Sequence, residues 1–211
     1  MLRYPKNLRI SDTVVYFPVY LPFDLYISRS RVLEMAAFVS SSFERDFEAA
    51  LTYALKAIGK DDLVLKKEQR DAMATVYRGE DVFLWLPTGF GKSLCYESLP
   101  FLFDFKLGRT AICDRSTVIV ISPLISLMTD QVTSLRKRGV SAAILSRRQG
   151  VDKDLLATDK DLGTPGKFSL LFCAPEAVIG SERWSDKFLE FPLSSRIVAI
   201  AVDEAHCVSR W

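Results

Sequence analysis

The feature that most restricts the fold is a series of short apolar runs, rich in Val and Ile, that alternate with helical or polar segments. The runs cover residues 82–86, 117–121, 142–145, 169–173 and 197–202. Runs this short that are apolar on both faces are typical of parallel strands buried between helix layers. The sequence therefore predicts an α/β fold with a doubly wound, mostly parallel sheet.

Helical periodicity precedes the first of these runs. Apolar residues recur at three- and four-residue spacing over residues 43–58, which predicts an amphipathic helix. Ser41 and Glu44 form a capping-box pattern at its start, and Gly59 is a typical stop. A second helix is predicted to begin at Lys67, to run to about residue 77 and to end near the next glycine.

The chain divides into an N-terminal extension, residues 1–40, and one main domain, residues 41–211. Within the extension, residues 14–27 are apolar and aromatic, but Pro18, Pro22 and Asp24 interrupt them and the run is too short to span a bilayer as a helix. We expect an edge strand, an extended segment or sequence foreign to the domain. Within the domain, residues 147–167 are polar and broken by Gly and Pro, which predicts a surface excursion with at most one short helix.

The composition limits the possible functions only slightly. The chain has 211 residues, 49% hydrophobic and 26% charged, which suits one globular domain. A net charge of +2 gives no argument for nucleic acid or a membrane surface. Four widely spaced cysteines and a single histidine do not form a usual zinc set, and they favour a reducing intracellular compartment.

A glycine-rich hexapeptide follows the first predicted strand and precedes a helix. It reads Thr88-Gly89-Phe90-Gly91-Lys92-Ser93. Glycines let the backbone amides of such a turn point at phosphate oxygens, the lysine reaches the β- and γ-phosphates, and the hydroxyl holds magnesium. The first glycine of the full phosphate-loop pattern is replaced by Leu86. The pattern predicts a nucleotide site, and a flexible connecting loop is the alternative.

Two adjacent carboxylates, Asp203 and Glu204, follow the last predicted strand. The carboxyl ends of parallel strands line the crevice where ligands bind. We therefore predict that Asp203 binds magnesium and that Glu204 deprotonates an attacking water. The alternative is an ordinary helix N-cap, because carboxylates are favoured at that end of a helix.

At this point the chain resembles the superfamily 2 helicases, and among them the RecQ-like DNA helicases. The hexapeptide is similar to motif I, residues 203–206 (DEAH) to motif II, residues 121–132 to motif Ia, and residues 171–177 to motif Ib. Residues 207–211 (CVSRW) resemble the start of the family's aromatic-rich loop. The resemblance covers residues 43–211.

The resemblance implies a three-layer RecA-like P-loop domain preceded by N-terminal helices. It implies an ATP- and Mg²⁺-dependent motor that moves 3′ to 5′ on single-stranded or partly duplex DNA, in the nucleus and without a membrane. It adds His206 to the catalytic residues and assigns Gln69 to the adenine edge. Because Lys66 and Lys67 stand where the family usually has arginine and proline, an exposed polar helix start is the alternative for Gln69.

For contact with DNA, the resemblance points to Ser122, Ser126 and Gln131 in motif Ia, and to Trp211, whose ring can stack on a base. A lone Trp is more often part of a core. Basic clusters at 136–138 and 147–148 could attract phosphates, although a solvated helix face is the commoner explanation for such short clusters.

In this family the strand that carries motif III lies between the strands of motifs I and II, and a second RecA-like domain follows. Both would lie beyond Trp211. We therefore expect a fragment of a longer helicase with little or no ATPase activity, with unpaired backbone groups in the middle of its sheet and poor folding. Two other readings stay open: a non-catalytic ATP- or DNA-binding fragment, and an unrelated P-loop phosphotransferase.

Overall fold

The computed structural model of the protein describes residues 12–16, 29–146, 151–179 and 188–205, with side chains for 42–146, 151–177 and 188–205. The strands in these ranges are β1 Asp12–Tyr16, β2 Val82–Trp85, β3 Thr117–Ile121, β4 Ala142–Leu145, β5 Leu170–Cys173 and β6 Ile197–Val202. The α-helices are α1 Arg29–Ala57, α2 Lys67–Arg78, α3 Lys92–Lys106, α4 Ile125–Lys137, α5 Asp159–Leu162 and α6 Pro175–Ile179.

The strands form one sheet in the order β2-β1-β6-β3-β5-β4. Strand β3 pairs in parallel with both β6 and β5, and β5 pairs in parallel with β4. Strand β1 is antiparallel to both of its neighbours, β2 and β6. All strands except β1 therefore run in one direction among the described residues, and the predicted mostly parallel α/β sheet is confirmed.

The position of β1 corrects two expectations from the sequence. Residues 12–16 do not form an edge strand, because the Cα of Val14 lies opposite both Phe83 of β2 and Val202 of β6; residues 17–28 lie outside the described ranges. The expected gap between the strands of motifs I and II is also wrong, because β1 fills it. An antiparallel strand can bond to neighbours on both sides, so the backbone groups between β2 and β6 do not require a parallel partner.

Helix α1 begins earlier than the capping-box pattern predicts. It starts at Arg29, so Ser41 lies within the helix and does not cap it. The preceding residues include Leu33, Glu34 and Met35, which are good helix formers, and they extend the helix past the predicted start. The predicted apolar face is confirmed, since Phe47, Ala50 and Ala54 are fully buried.

The helices create two cores of unequal extent. The larger core joins α1, α2, α3 and α4 to one face of the sheet. The smaller one covers the opposite face at β3, β4 and β5, and includes Ile119, Leu145 and Leu171. On β2 the same opposite face is open, because Phe83 and Trp85 are 55% and 52% exposed.

The connection from β4 to β5 contains a short 3₁₀ turn, Lys153–Leu155, and the single-turn helix α5. Thr158 caps α5 by accepting a hydrogen bond from the Asp161 N–H at 3.3 Å. The described part of the excursion therefore agrees with the prediction of at most one short α-helix. Residues 147–150 lie outside the described ranges.

Candidate functional site

The glycine-rich loop joins β2 to α3. Gly89 and Gly91 have φ angles of +82° and +80°, which are left-handed values that glycine adopts without strain. Gly91 is the N-cap of α3, so the exposed residues 88–91 lie at the positive end of that helix. This arrangement gives an anion the N–H groups of the helix terminus.

The Lys92 ammonium is held inside the loop. It is 8% exposed and donates hydrogen bonds to the carbonyl oxygens of Leu86 at 2.7 Å and Pro87 at 3.2 Å. An ammonium has three N–H donors, so these two bonds leave donor capacity for a phosphate oxygen. The leucine that replaces the first glycine of the pattern packs its side chain into the larger core, while its backbone carbonyl accepts the bond from Lys92 as any residue's would.

The acidic pair lies at the carboxyl end of β6. Asp203 is 6% exposed, and its N–H donates to the Ile121 carbonyl at 2.8 Å. Its Oδ1 accepts a hydrogen bond from the Glu204 N–H at 3.1 Å. Glu204 has a φ of +55°, a left-handed value that is uncommon for a residue with a Cβ. Such strain is found most often at functional sites.

Tyr96 lies between α3, the helix that follows the glycine-rich loop, and the acidic pair. Its side chain is fully buried on α3, and its hydroxyl lies 3.5 Å from Asp203 Oδ2. Ser93 lies beside the same hydroxyl, one helical turn away. Burial, and to a lesser extent the nearby charge of Asp203, raises the pKa of Tyr96 well above its ordinary value, so the hydroxyl keeps its proton. The first turn of α3 and the tip of β6 therefore meet at one place.

Sequence reasoning missed Tyr96. The signal available was its spacing of three residues from Ser93, which places both on one face of a helix. An apolar helix of this composition gave no reason to separate this tyrosine from an ordinary core residue.

Gln69 is buried, at 4% exposure, so it is not exposed as the alternative expects, although it does lie in the first turn of α2 as that alternative also expects. Its amide nitrogen donates to the carbonyls of Phe90 at 2.9 Å and Gly91 at 3.1 Å, and its oxygen accepts from the Lys66 N–H at 2.9 Å. The Gln69 amide thus links the glycine-rich loop to the start of α2. The Lys66 ammonium lies 3.5 Å from the centre of the Phe90 ring, in a cation–π contact.

The residues predicted to contact DNA differ in accessibility. Ser122 is fully buried, and its hydroxyl has no hydrogen-bond partner. Gln131 donates to the Tyr96 hydroxyl at 2.9 Å, while its own Oε1 is buried without a partner. Ser126 is exposed on α4. Trp211 and His206 lie outside the described residues.

The basic cluster at 136–138 has mainly a structural role. Arg136 donates to the Ala142 carbonyl at 2.7 Å and to the Asp154 carbonyl at 2.6 Å. Arg138 forms a largely buried ion pair with Glu97 at 2.9 Å. Two of the three side chains therefore bond to other parts of the protein, although Arg136 remains exposed, and Lys137 is exposed on α4.

The donors that meet at the site are oxygens. The Ser93 hydroxyl and the Asp203 carboxylate are the hard ligands that Mg²⁺ prefers, so the residues fit this ion. In the described ranges there is no group of three or more His, Cys, Asp or Glu side chains placed to hold a metal by themselves.

Comparison with known families identifies residues 66–211 as a match to the DEAD/DEAH box helicase model, which is more than half of the chain. The chain belongs to the DEAD/DEAH box helicase family. The family match includes the glycine-rich loop and the acidic pair. Both β1 and α1 lie before it.

Curated relatives of this DEAD/DEAH box chain include the ATP-dependent helicase SGS1 of Saccharomyces cerevisiae, 38% identical over 146 residues, which is 69% of this chain and 10% of that protein. The ATP-dependent DNA helicase RecQ of Haemophilus influenzae is 34% identical over 69% of this chain and 21% of its own length. The ATP-dependent DNA helicase Q1 of Rattus norvegicus is 34% identical over 65% and 20%. The chain therefore matches only a tenth to a fifth of the length of these relatives.

None of the described helices is both long and apolar enough to cross a membrane.

Proposed function

We propose that this chain is the ATP-binding motor domain of a RecQ-like, ATP-dependent DNA helicase. One observation carries the proposal: the helix that begins with Lys92 and Ser93 meets the Asp203 carboxylate, through Tyr96. A phosphate loop and an acidic strand end must converge in this way to bind one nucleotide. The names of the relatives, all ATP-dependent helicases, support the same reading.

Each predicted residue has a role in this proposal. Amides of residues 88–91 receive the phosphates, and the Lys92 ammonium donates to β- and γ-phosphate oxygens. Ser93 and Asp203 would hold Mg²⁺, which when bound neutralises charge on the phosphates. Glu204 takes the proton of the attacking water. Gln69 remains the predicted contact to adenine, and His206 the remaining member of motif II.

In the whole protein, we infer that ATP binding and hydrolysis move a pair of RecA-like domains along single-stranded or partly duplex DNA, with 3′ to 5′ polarity. Ser122, Ser126, Gln131 and Trp211 remain the predicted DNA contacts. We infer an intracellular, nuclear location from the resemblance to the family.

Equilibrium binding of a fluorescent ATP analogue to the chain tests the proposal. We expect Lys92→Ala to weaken binding by about tenfold or more, because it removes a charge-assisted donor to phosphate. Lys67→Ala is the matched control, since that side chain is 84% exposed on α2, and it should bind like the wild type. Equal affinity in Lys92→Ala and the wild type would contradict a phosphate loop.

DNA-stimulated ATP hydrolysis separates a motor from a binding fragment. Glu204→Gln should keep ATP affinity and lose hydrolysis, because it removes the base and not the phosphate contacts. An ATP-binding chain whose hydrolysis is absent with and without single-stranded DNA would favour the non-catalytic fragment. Phosphate transfer to a small acceptor, with no response to DNA, would favour the unrelated phosphotransferase.

A further inference from the structure

Tyr96 is fully buried on α3, but its hydroxyl does not lie among apolar side chains alone. Its hydroxyl is the meeting point of three polar side chains: Asp203 Oδ2 at 3.5 Å, Gln131 Nε2 at 2.9 Å, and Ser93 beside it. A fully buried hydroxyl needs hydrogen-bond partners, but one or two would be enough. Here the partners include both predicted magnesium ligands.

The direction of these hydrogen bonds follows from their chemistry. The Gln131 amide nitrogen can only donate, so the Tyr96 oxygen accepts from it. The single phenolic proton is then available for an acceptor, and a carboxylate oxygen is one. The Tyr96 hydroxyl donates toward Asp203 Oδ2 across 3.5 Å, the outer limit of a hydrogen bond. The other oxygen, Oδ1, is already held by the Glu204 N–H at 3.1 Å.

Gln131 adds a connection to a different part of the protein. It lies on α4, which also presents the exposed Ser126. The Gln131 Oε1 is buried without a partner, which is costly and shows that the side chain is turned inward for its contact with Tyr96. A shift of α4 would move the amide that orients Tyr96.

We propose that Tyr96 is a positioning residue for the metal-binding carboxylate: its proton fixes Asp203, and Gln131 on α4 fixes Tyr96. The inference rests on the proposed function, because it concerns the same nucleotide site. Its consequence is that the position of α4 controls how well Asp203 is oriented toward magnesium.

The test is a magnesium titration of the binding of a fluorescent ATP analogue to the full chain. We expect Tyr96→Phe to raise the magnesium concentration for half-saturation by about tenfold, the size expected for losing one hydrogen bond to a charged group. Affinity for the analogue in EDTA should stay at the wild-type value, because the loop and Lys92 do not need the hydroxyl. Loss of affinity to the same extent with magnesium and with EDTA would assign Tyr96 a purely structural role and overturn the proposal.

Tyr77→Phe is the matched control. Tyr77 is 1% exposed on α2, and its hydroxyl donates to the Asp46 carboxylate on α1, away from the loop. Removing this hydroxyl should lower the unfolding midpoint and leave the magnesium dependence unchanged. An equal magnesium shift in both variants would overturn the specific role of Tyr96.

Gln131→Leu keeps the inference testable if Tyr96→Phe folds poorly. It should raise the half-saturating magnesium concentration less than Tyr96→Phe does, and the double variant should match Tyr96→Phe alone because both act through one hydroxyl. Additive effects of the two substitutions would overturn the proposal that Gln131 acts through the Tyr96 hydroxyl.

A wild-type chain that binds no ATP analogue under any condition overturns the proposed function, and this inference with it. A wild-type chain with magnesium-dependent binding that Tyr96→Phe leaves unchanged overturns this inference alone.

Discussion

The two halves of the sheet are built differently. In the half formed by β3, β5 and β4, neighbouring strands are parallel, and nearly every residue is buried. In the half formed by β2, β1 and β6, the middle strand is antiparallel and comes from the N-terminus. The half formed by β3, β5 and β4 is specified by local patterns of apolar runs and helices. The half formed by β2, β1 and β6 depends on the pairing of β1 with β6, which are far apart in the sequence.

The proposed nucleotide site lies across the second half. Strand β2 leads into the phosphate loop and β6 leads to Asp203, and these strands have no direct backbone pairing in the described sheet, because β1 separates them. The relative position of the two motifs therefore depends on β1 and on the contact between α3 and β6. Strand β2, which leads into the proposed site, is less buried than β3, β4 and β5.

The largest expected effect tests the difference in burial. Phe172→Ala, at a fully buried position in β5, should lower the free energy of unfolding by about 4 kcal/mol, because it leaves a large cavity. Phe83→Ala on β2, 55% exposed, should cost less than about 1 kcal/mol. Urea unfolding measures both. Similar losses at the two positions would mean that the open face of β2 is covered in solution.

The next effect tests the pairing of β1. Val14→Pro removes a backbone donor from a strand with partners on both sides and should destabilise the domain by about 3 kcal/mol. Val64→Pro, at a loop valine that is 90% exposed, should change stability by less than about 0.5 kcal/mol. Thermal unfolding of the two variants gives the comparison, and equal midpoints would show that β1 does not hold the sheet together.

The smallest effect is expected in the connection from β4 to β5, which contains Asp161 and Lys167. Bonds from the Lys167 ammonium and then from the Thr158 N–H lower the pKa of Asp161 to about 2 from its ordinary value of 3.8. A depressed pKa in the folded state gives stability that is present above pH 4 and is lost as the pH falls toward 2.

Asp161→Asn should therefore flatten the fall in stability between pH 4 and pH 2, by less than about 1 kcal/mol because the ion pair is partly exposed to water. Asp62→Asn, at an exposed position in the loop after α1, is the control and should keep the wild-type slope. Urea midpoints at several pH values check this, and parallel curves for the wild type and Asp161→Asn would contradict it.

Much of this architecture could be predicted from the sequence, because its signals are local. The apolar runs became β3, β4 and β6 with the predicted bounds, and the glycines of the loop have the left-handed angles that only glycine adopts easily. The placement of β1 could not be predicted, because residues 12–16 have no local feature that selects their partners. Tyr96 was also missed, because the pattern of a helix does not show what a buried hydroxyl contacts. The roles of Lys92, Asp203 and Glu204 remain predictions for the experiments above.

Gly91 links the choice of residues at two sites that are distant in sequence. A Cβ at position 91 would lie 2.7 Å from the Gln69 amide nitrogen, in addition to the strain of a φ of +80°. A shorter residue at position 69 would remove this collision, but the strain of the φ angle would remain with any side chain at position 91. A redesign of the loop therefore keeps glycine at position 91, and a shorter residue at position 69 gives up the amide that donates to the carbonyls of Phe90 and Gly91.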